Sequence, residues 1–67
     1  MNTNAIAERI RTARTRRGLT QAQLAARCGI RAATISDAER GKGSLLVGTL
    51  DRIAKGLGVK TVYFFRT

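Results

Sequence analysis

Apolar residues recur at intervals of three and four along most of this chain, the spacing of helices that each turn one face inward. Ile6, Ile10 and Ala13 set it for a first helix over about Asn4 to Arg17, and Gly18 closes that helix because glycine accepts the positive φ of a helix end. Thr20 opens the next one. Its hydroxyl can accept a free backbone N–H while Gln23 reaches back, so Thr20-Gln-Ala-Gln predicts a capping box. The second helix, about Gln21 to Cys28, places Leu24, Ala25 and Cys28 on one side and ends at Gly29. Ile30 plugs the turn that follows. A third helix over Ala32 to Arg40 carries Ile35 and Ala38 inward and leaves Arg31, Ala33, Thr34, Ser36 and Asp37 outward, until Gly41-Lys-Gly43 stops it. The fourth, about Val47 to Leu57, is expected to bury Leu46, Leu50, Ile53, Ala54 and Leu57 before Gly58 ends it, with Gly48 weakening its start.

The last stretch changes character. In Val59-Lys-Thr-Val-Tyr-Phe-Phe-Arg66, β-branched and aromatic residues replace the Ala and Leu of the helices, which predicts a strand over about residues 59–66. Extended, it shows Thr61, Tyr63 and Phe65 on one face and Val62 and Phe64 on the other. A lone strand has no partner within a helical chain, so its open backbone groups are expected to pair with another copy, making Val62, Tyr63, Phe64 and Phe65 a dimerisation segment.

With 67 residues there is room for a single core, and one domain is expected over 1–67. Since 43% of residues are hydrophobic but only 4% aromatic, that core is aliphatic: Ile6, Ile10, Leu19, Leu24, Ile35, Leu46, Leu50, Ile53 and Leu57 are its candidates. Cys28 is the single cysteine, so no intrachain disulfide is expected, and the absence of a signal peptide or long apolar run predicts a cytoplasmic chain.

Charge adds a partner. Thirteen Lys and Arg stand against four Asp and Glu, a net +9, and a polyanion follows. Nucleic acid, whether double-stranded DNA or RNA, is the first candidate, because neutralising its phosphates releases condensed counterions whatever the sequence. No membrane partner is expected. The first helix sets Arg9, Arg11, Arg14, Arg16 and Arg17 around an apolar face of Ile6, Ile10 and Ala13, too narrow to lie in a bilayer surface. RNA modules usually display exposed aromatics, and here these are confined to the tail.

Two short helices joined at Gly29, the second rich in small polar residues, meet the requirements of a helix-turn-helix over Gln21 to Arg40. Ala25 lets the two helices cross closely, Gly29 lets the chain reverse, and Ile30 and Ile35 anchor the second helix so that its other face is free for the major groove. The run Gly18-Leu-Thr-Gln-Ala-Gln-Leu-Ala-Ala-Arg-Cys-Gly-Ile-Arg-Ala-Ala-Thr-Ile-Ser-Asp-Ala-Glu-Arg-Gly41 resembles the Xre/Cro family of helix-turn-helix regulators, which includes temperate-phage repressors, and the likeness continues through Leu50-Asp-Arg-Ile-Ala-Lys-Gly-Leu-Gly58. It implies an all-α, four- to five-helix phage-repressor-like domain, here with the added C-terminal strand, acting as a homodimer on a palindromic operator. The expected function is a sequence-specific transcriptional repressor or autorepressor. A short chain ending in a strand also resembles the antitoxins of toxin–antitoxin pairs, so the alternative is an antitoxin with a toxin protein as second partner.

The resemblance also implies roles for particular residues. Gln21 corresponds to a phosphate-contacting glutamine at the start of the second helix, where free amides favour an anion. Arg14 and Glu39 match a pair linking the first helix to the reading helix, the other reading being two unrelated surface charges. Ala32, Ala33, Thr34 and Asp37 match base-reading positions. The two alanines can touch only thymine methyls, while Thr34 can reach a methyl or base edge, Asp37 can accept from a cytosine amino group, and Arg31 can reach guanine or phosphate. Such short side chains leave room for readout of DNA shape. Ser36, Arg40, Lys42 and Ser44 are expected at phosphates flanking the groove.

Other chemistries lack their groups. There is no histidine, the four acids are Glu8, Asp37, Glu39 and Asp51, and a core this small leaves no deep pocket, so neither an enzyme, a cofactor nor a metal site is expected. Cys28 reads as a small core residue, with redox sensing as the minor alternative.

Overall fold

The computed structural model describes residues 3–42 and 46–65. Its order is α1 Thr3–Arg16, α2 Gln21–Cys28, α3 Ala32–Glu39, α4 Val47–Leu57, and a C-terminal 3-10 helix Thr61–Phe65. α2 packs on both α3 and α4, while α1 lies against α3, α4 and the 3-10 helix. One cluster holds them together: Ile6, Ile10, Ala13, Leu24, Ala25, Cys28, Ile35, Ala38, Leu50, Ile53, Ala54, Leu57 and Phe64 are all buried, with Leu19, Ile30, Val59 and Tyr63 packed on its edge.

Local chemistry sets the boundaries. Thr20 accepts from the Gln23 amide while the Gln23 side chain accepts from Thr20 N–H, the two halves of a capping box. α2 ends at Gly29, left-handed at φ 69°, whose N–H closes on the last carbonyls of the helix. The chain then needs only Ile30 and Arg31 to turn into α3, with Ile30 donating back to the Ala25 carbonyl at 3.1 Å.

Two expectations fail. Leu46 is 67% exposed, not core: it keeps the four-residue spacing to Leu50, but as the N-cap of α4 its backbone is still extended, so that spacing does not bring it onto the buried face of the helix. The tail is not a strand. Thr61–Phe65 winds as a 3-10 helix, in which residues three apart eclipse each other. Thr61 and Phe64 therefore face the body together: Thr61 Oγ1 donates to Asp51 at 2.6 Å, and Phe64, 1% exposed, fills the core. Val62 and Phe65 face out together, and the two-residue alternation expected of a strand is absent. Phe64 is thus removed from any dimer surface, because its own chain has used it. Tyr63 is half-buried, with the Arg9 guanidinium 5.4 Å from its ring centroid.

α2 and α4 touch where neither has bulk. A Cβ on Gly56 would lie 2.3 Å from Cys28 Sγ, and both the Cys28 backbone nitrogen and Leu24 Cδ1 stand 3.4 Å away. Gly56→Ala is expected to destabilise the domain by about 1–3 kcal/mol, the usual cost of overpacking, despite the better helix propensity of alanine. Urea denaturation reads it, and a variant as stable as the parent would mean that the helices part freely. Burial also pushes the Cys28 thiol pKa above its ordinary value, which suits a core residue better than a reactive one.

Candidate nucleic-acid interface

α3 is anchored by its inward face. Ile35 and Ala38 have no exposed surface and Glu39 is buried, so the opposite side is held outward as a fixed surface. That side carries Ala32, Ala33 and Asp37, all exposed, and the half-buried Thr34 and Ser36. Arg31 is the N-cap, but its guanidinium only donates and so makes no side-chain cap bond, and it is exposed. Arg40, the C-cap, and Lys42 are exposed beyond the last turn, and Ser44 lies outside the described residues.

The outward face of α3 carries its own ion pair. Arg40 Nη2 stands 3.2 Å from Asp37 Oδ1, with both side chains more than half exposed, so the pair adds little stability. Its effect is electrostatic. Asp37 puts a negative charge on this face, and Arg40 one turn on partly cancels it. Arg11 joins this end, lining a shallow cleft with Ala7, Glu8, Glu39 and Arg40. Helical spacing alone could not choose among the arginines of α1. Packing does: Arg9 covers Tyr63, Arg17 donates to the Ala13 carbonyl at 2.8 Å, and Arg11 is left beside α3.

Behind the surface is a buried polar junction. Arg14 Nε meets Glu39 Oε2 at 2.5 Å and Nη2 meets Oε1 at 3.0 Å, a two-point contact, while Nη1 donates to the Leu19 carbonyl at 2.8 Å. Gln21 Nε2 donates to the same Glu39 Oε1 at 3.2 Å. The Glu39 carboxylate thereby ties α1 and the first residue of α2 to the end of α3, and Arg14 adds the turn after α1 through Leu19. Glu39 satisfies the burial rule for a charge, since both oxygens are paired. The hydrogen bond to Glu39 is the main reason the Arg14 pKa is raised, with burial opposing it. A raised Arg14 pKa means that the guanidinium's side of this contribution is complete through the neutral range and is lost only as pH rises into strong alkali.

The sequence showed Gln21 and the Arg14–Glu39 pair as separate features, and the structure brings all three together. No signal in spacing reveals the Gln21 contact, because it joins positions 18 apart on different helices. Among the described residues no helix is long and apolar enough to cross a membrane.

A helix-turn-helix family model, HTH_3, matches residues 10–64. Solved structures agree. An HTH_3 family transcriptional regulator from Vibrio cholerae superposes with a TM-score of 0.90 at 34% identity, over 97% of this chain but only 36% of that one. The restriction-modification controller protein C.AhdI from Aeromonas hydrophila gives 0.90 at 25% identity, over 94% of this chain and 96% of that one. Wild-type C.Esp1396I, also a restriction-modification controller protein, gives 0.87 at 32% identity, over 97% and 84%. No curated protein matches the sequence. The chain belongs to the HTH_3 helix-turn-helix family, the Xre/Cro-like group of non-enzymatic DNA-binding transcription regulators.

Proposed function

We propose that the chain is a sequence-specific repressor or autorepressor that binds a palindromic operator as a homodimer. The observation that carries this is the outward face of α3, small and polar, held on the core by Ile35 and Ala38 with Gln21 beside it at the start of α2. Phosphate contacts by Gln21, Ser36, Arg40, Lys42 and Ser44 fix the register, and Arg31, Ala32, Ala33, Thr34 and Asp37 read bases. Arg11 joins the phosphate set from α1.

An eight-residue helix spans too few base pairs to specify a site alone, so two copies on an inverted repeat supply the rest. In the tail, Val62 and Phe65, 54% and 37% exposed, remain for a second copy to cover, with Tyr63 half-buried beside them. The likeness to two restriction-modification controller proteins supports a regulatory role. The antitoxin alternative drew its support from a strand edge, and the described tail has none to offer a toxin.

Selecting bound duplexes from a random pool tests the proposal. An inverted repeat with half-sites about 10 bp apart should emerge, as two recognition helices across a two-fold axis require. It should be bound at least ~10³-fold more tightly than bulk DNA, with affinity falling steeply as salt rises. Thr34→Ala and Asp37→Ala should each alter the preferred base at one position of each half-site. Equal affinity for every sequence in the pool would defeat the proposal.

A further inference from the structure

We propose that Glu39 is a positioning residue for the DNA-backbone clamp: it orients the Gln21 side-chain amide so that an N–H, not the carbonyl oxygen, is presented to phosphate. The inference rests on the reading of Gln21 as a phosphate contact and adds what aims it.

A glutamine amide has two ends of opposite sense. Its nitrogen donates and its oxygen accepts, and a half-turn of the terminal bond exchanges them. Toward a phosphate only the nitrogen is attractive. A free glutamine at the start of α2 would sample both orientations and would have to be ordered on binding, at a cost to affinity. Here the choice is already made. An ionised carboxylate only accepts, so the Gln21 group facing Glu39 Oε1 at 3.2 Å is Nε2. The second hydrogen on Nε2 is then left for a phosphate at the α2 N-terminus, where backbone amides also favour an anion.

An acid this close to phosphate would ordinarily repel it. Two features remove that penalty. The Glu39 side chain is only 3% exposed, and Arg14 grips both of its oxygens, so the charge is cancelled where it stands. Glu39 touches no DNA itself. Because it sits on α3 while Gln21 opens α2, the clamp and the reading helix share one joint, and phosphate contact fixes the angle of the helix that reads bases.

The test is a mutant cycle read as affinity for two duplexes, one of mixed sequence and about 20 bp, the other recovered by the selection above. Gln21→Ala should weaken both by about tenfold, the scale of one hydrogen bond to a charged group. The paired variant Arg14→Met/Glu39→Met keeps apolar packing between α1 and α3 but removes the acceptor. It should lose most of that tenfold at unchanged base preference, and Gln21→Ala added to it should cost less than about twofold more, since coupled residues are not additive. A full tenfold in both backgrounds overturns the proposal, because Gln21 would then act without Glu39. A Gln21→Ala variant that binds both duplexes normally overturns the phosphate reading itself, a separate result. Nuclear Overhauser contacts between the Gln21 amide and its neighbours in the unsubstituted DNA complex give a readout independent of how the variants fold. The amide should stay against Glu39 in the complex, and its departure would overturn the proposal.

Discussion

Phe64→Ala should cost about 3–5 kcal/mol of unfolding free energy, the range for emptying a buried aromatic site. Small domains hold few such reserves, total stabilities being about 5–15 kcal/mol, so the variant is expected to be largely unfolded near body temperature. The reason is position. Phe64 is among the largest side chains with almost no exposed surface, alongside Ile10, Leu24, Ile35, Leu50 and Ile53, and it reaches that core from a 3-10 helix that packs on α1 and α4. Phe65→Ala, two-fifths exposed by comparison, should cost less than about 1 kcal/mol and serves as the control in thermal and urea unfolding. Deletion from Lys60 onward should likewise unfold the domain, not yield a folded monomer. A truncated chain that keeps cooperative unfolding would show that the ring fills no structural vacancy.

That expectation reverses what the tail promised as a sequence, and the reason is physical. Val62, Tyr63, Phe64 and Phe65 are good strand formers, but β propensity expresses a fit to a half-buried pleated surface, and no such surface exists beside α1 and α4. What exists is one aromatic-sized vacancy that the aliphatic helices do not fill. A single turn of 3-10 helix delivers Phe64 there and lets Thr61 reach Asp51 from the same edge. Nothing local in the sequence announces a vacancy made by four other segments. Leu46 failed for a different reason: it lies four residues before Leu50, but the helix begins only at Val47, and helical spacing places a side chain only where the backbone is helical.

The helix-turn-helix itself was legible because its determinants are local. Thr20 with Gln23, Gly29 after Cys28, and the spacing of Leu24, Ala25, Ile35 and Ala38 each act within a turn or two of chain, and their agreement marks the elements. The outward residues of α3 followed from the same spacing. The junction at Glu39 was half legible. Its ion pair with Arg14 was implied by resemblance, whereas the Gln21 bond depends on how α2 crosses α3 and is visible only in three dimensions.

That junction gives the second large effect. Arg14→Ala should destabilise the domain by about 3–5 kcal/mol, because it leaves a buried carboxylate with one neutral partner. Glu39 is 3% exposed in its side chain and would keep only the Gln21 amide, too weak to replace a two-point guanidinium contact. Glu39→Ala should cost less. The Arg14 side chain is 14% exposed and still donates to the Leu19 carbonyl, so its charge can turn partly to water without leaving every donor unpaired. Replacing both partners, as in Arg14→Met/Glu39→Met, should cost least, within about 1 kcal/mol of the parent or even stabilising, since an apolar pair of similar volume escapes desolvation altogether. Urea unfolding of the three variants gives the order directly. Equal small losses in all three would mean that the carboxylate is reached by water in solution, and that α3 is held by Ile35 and Ala38 alone.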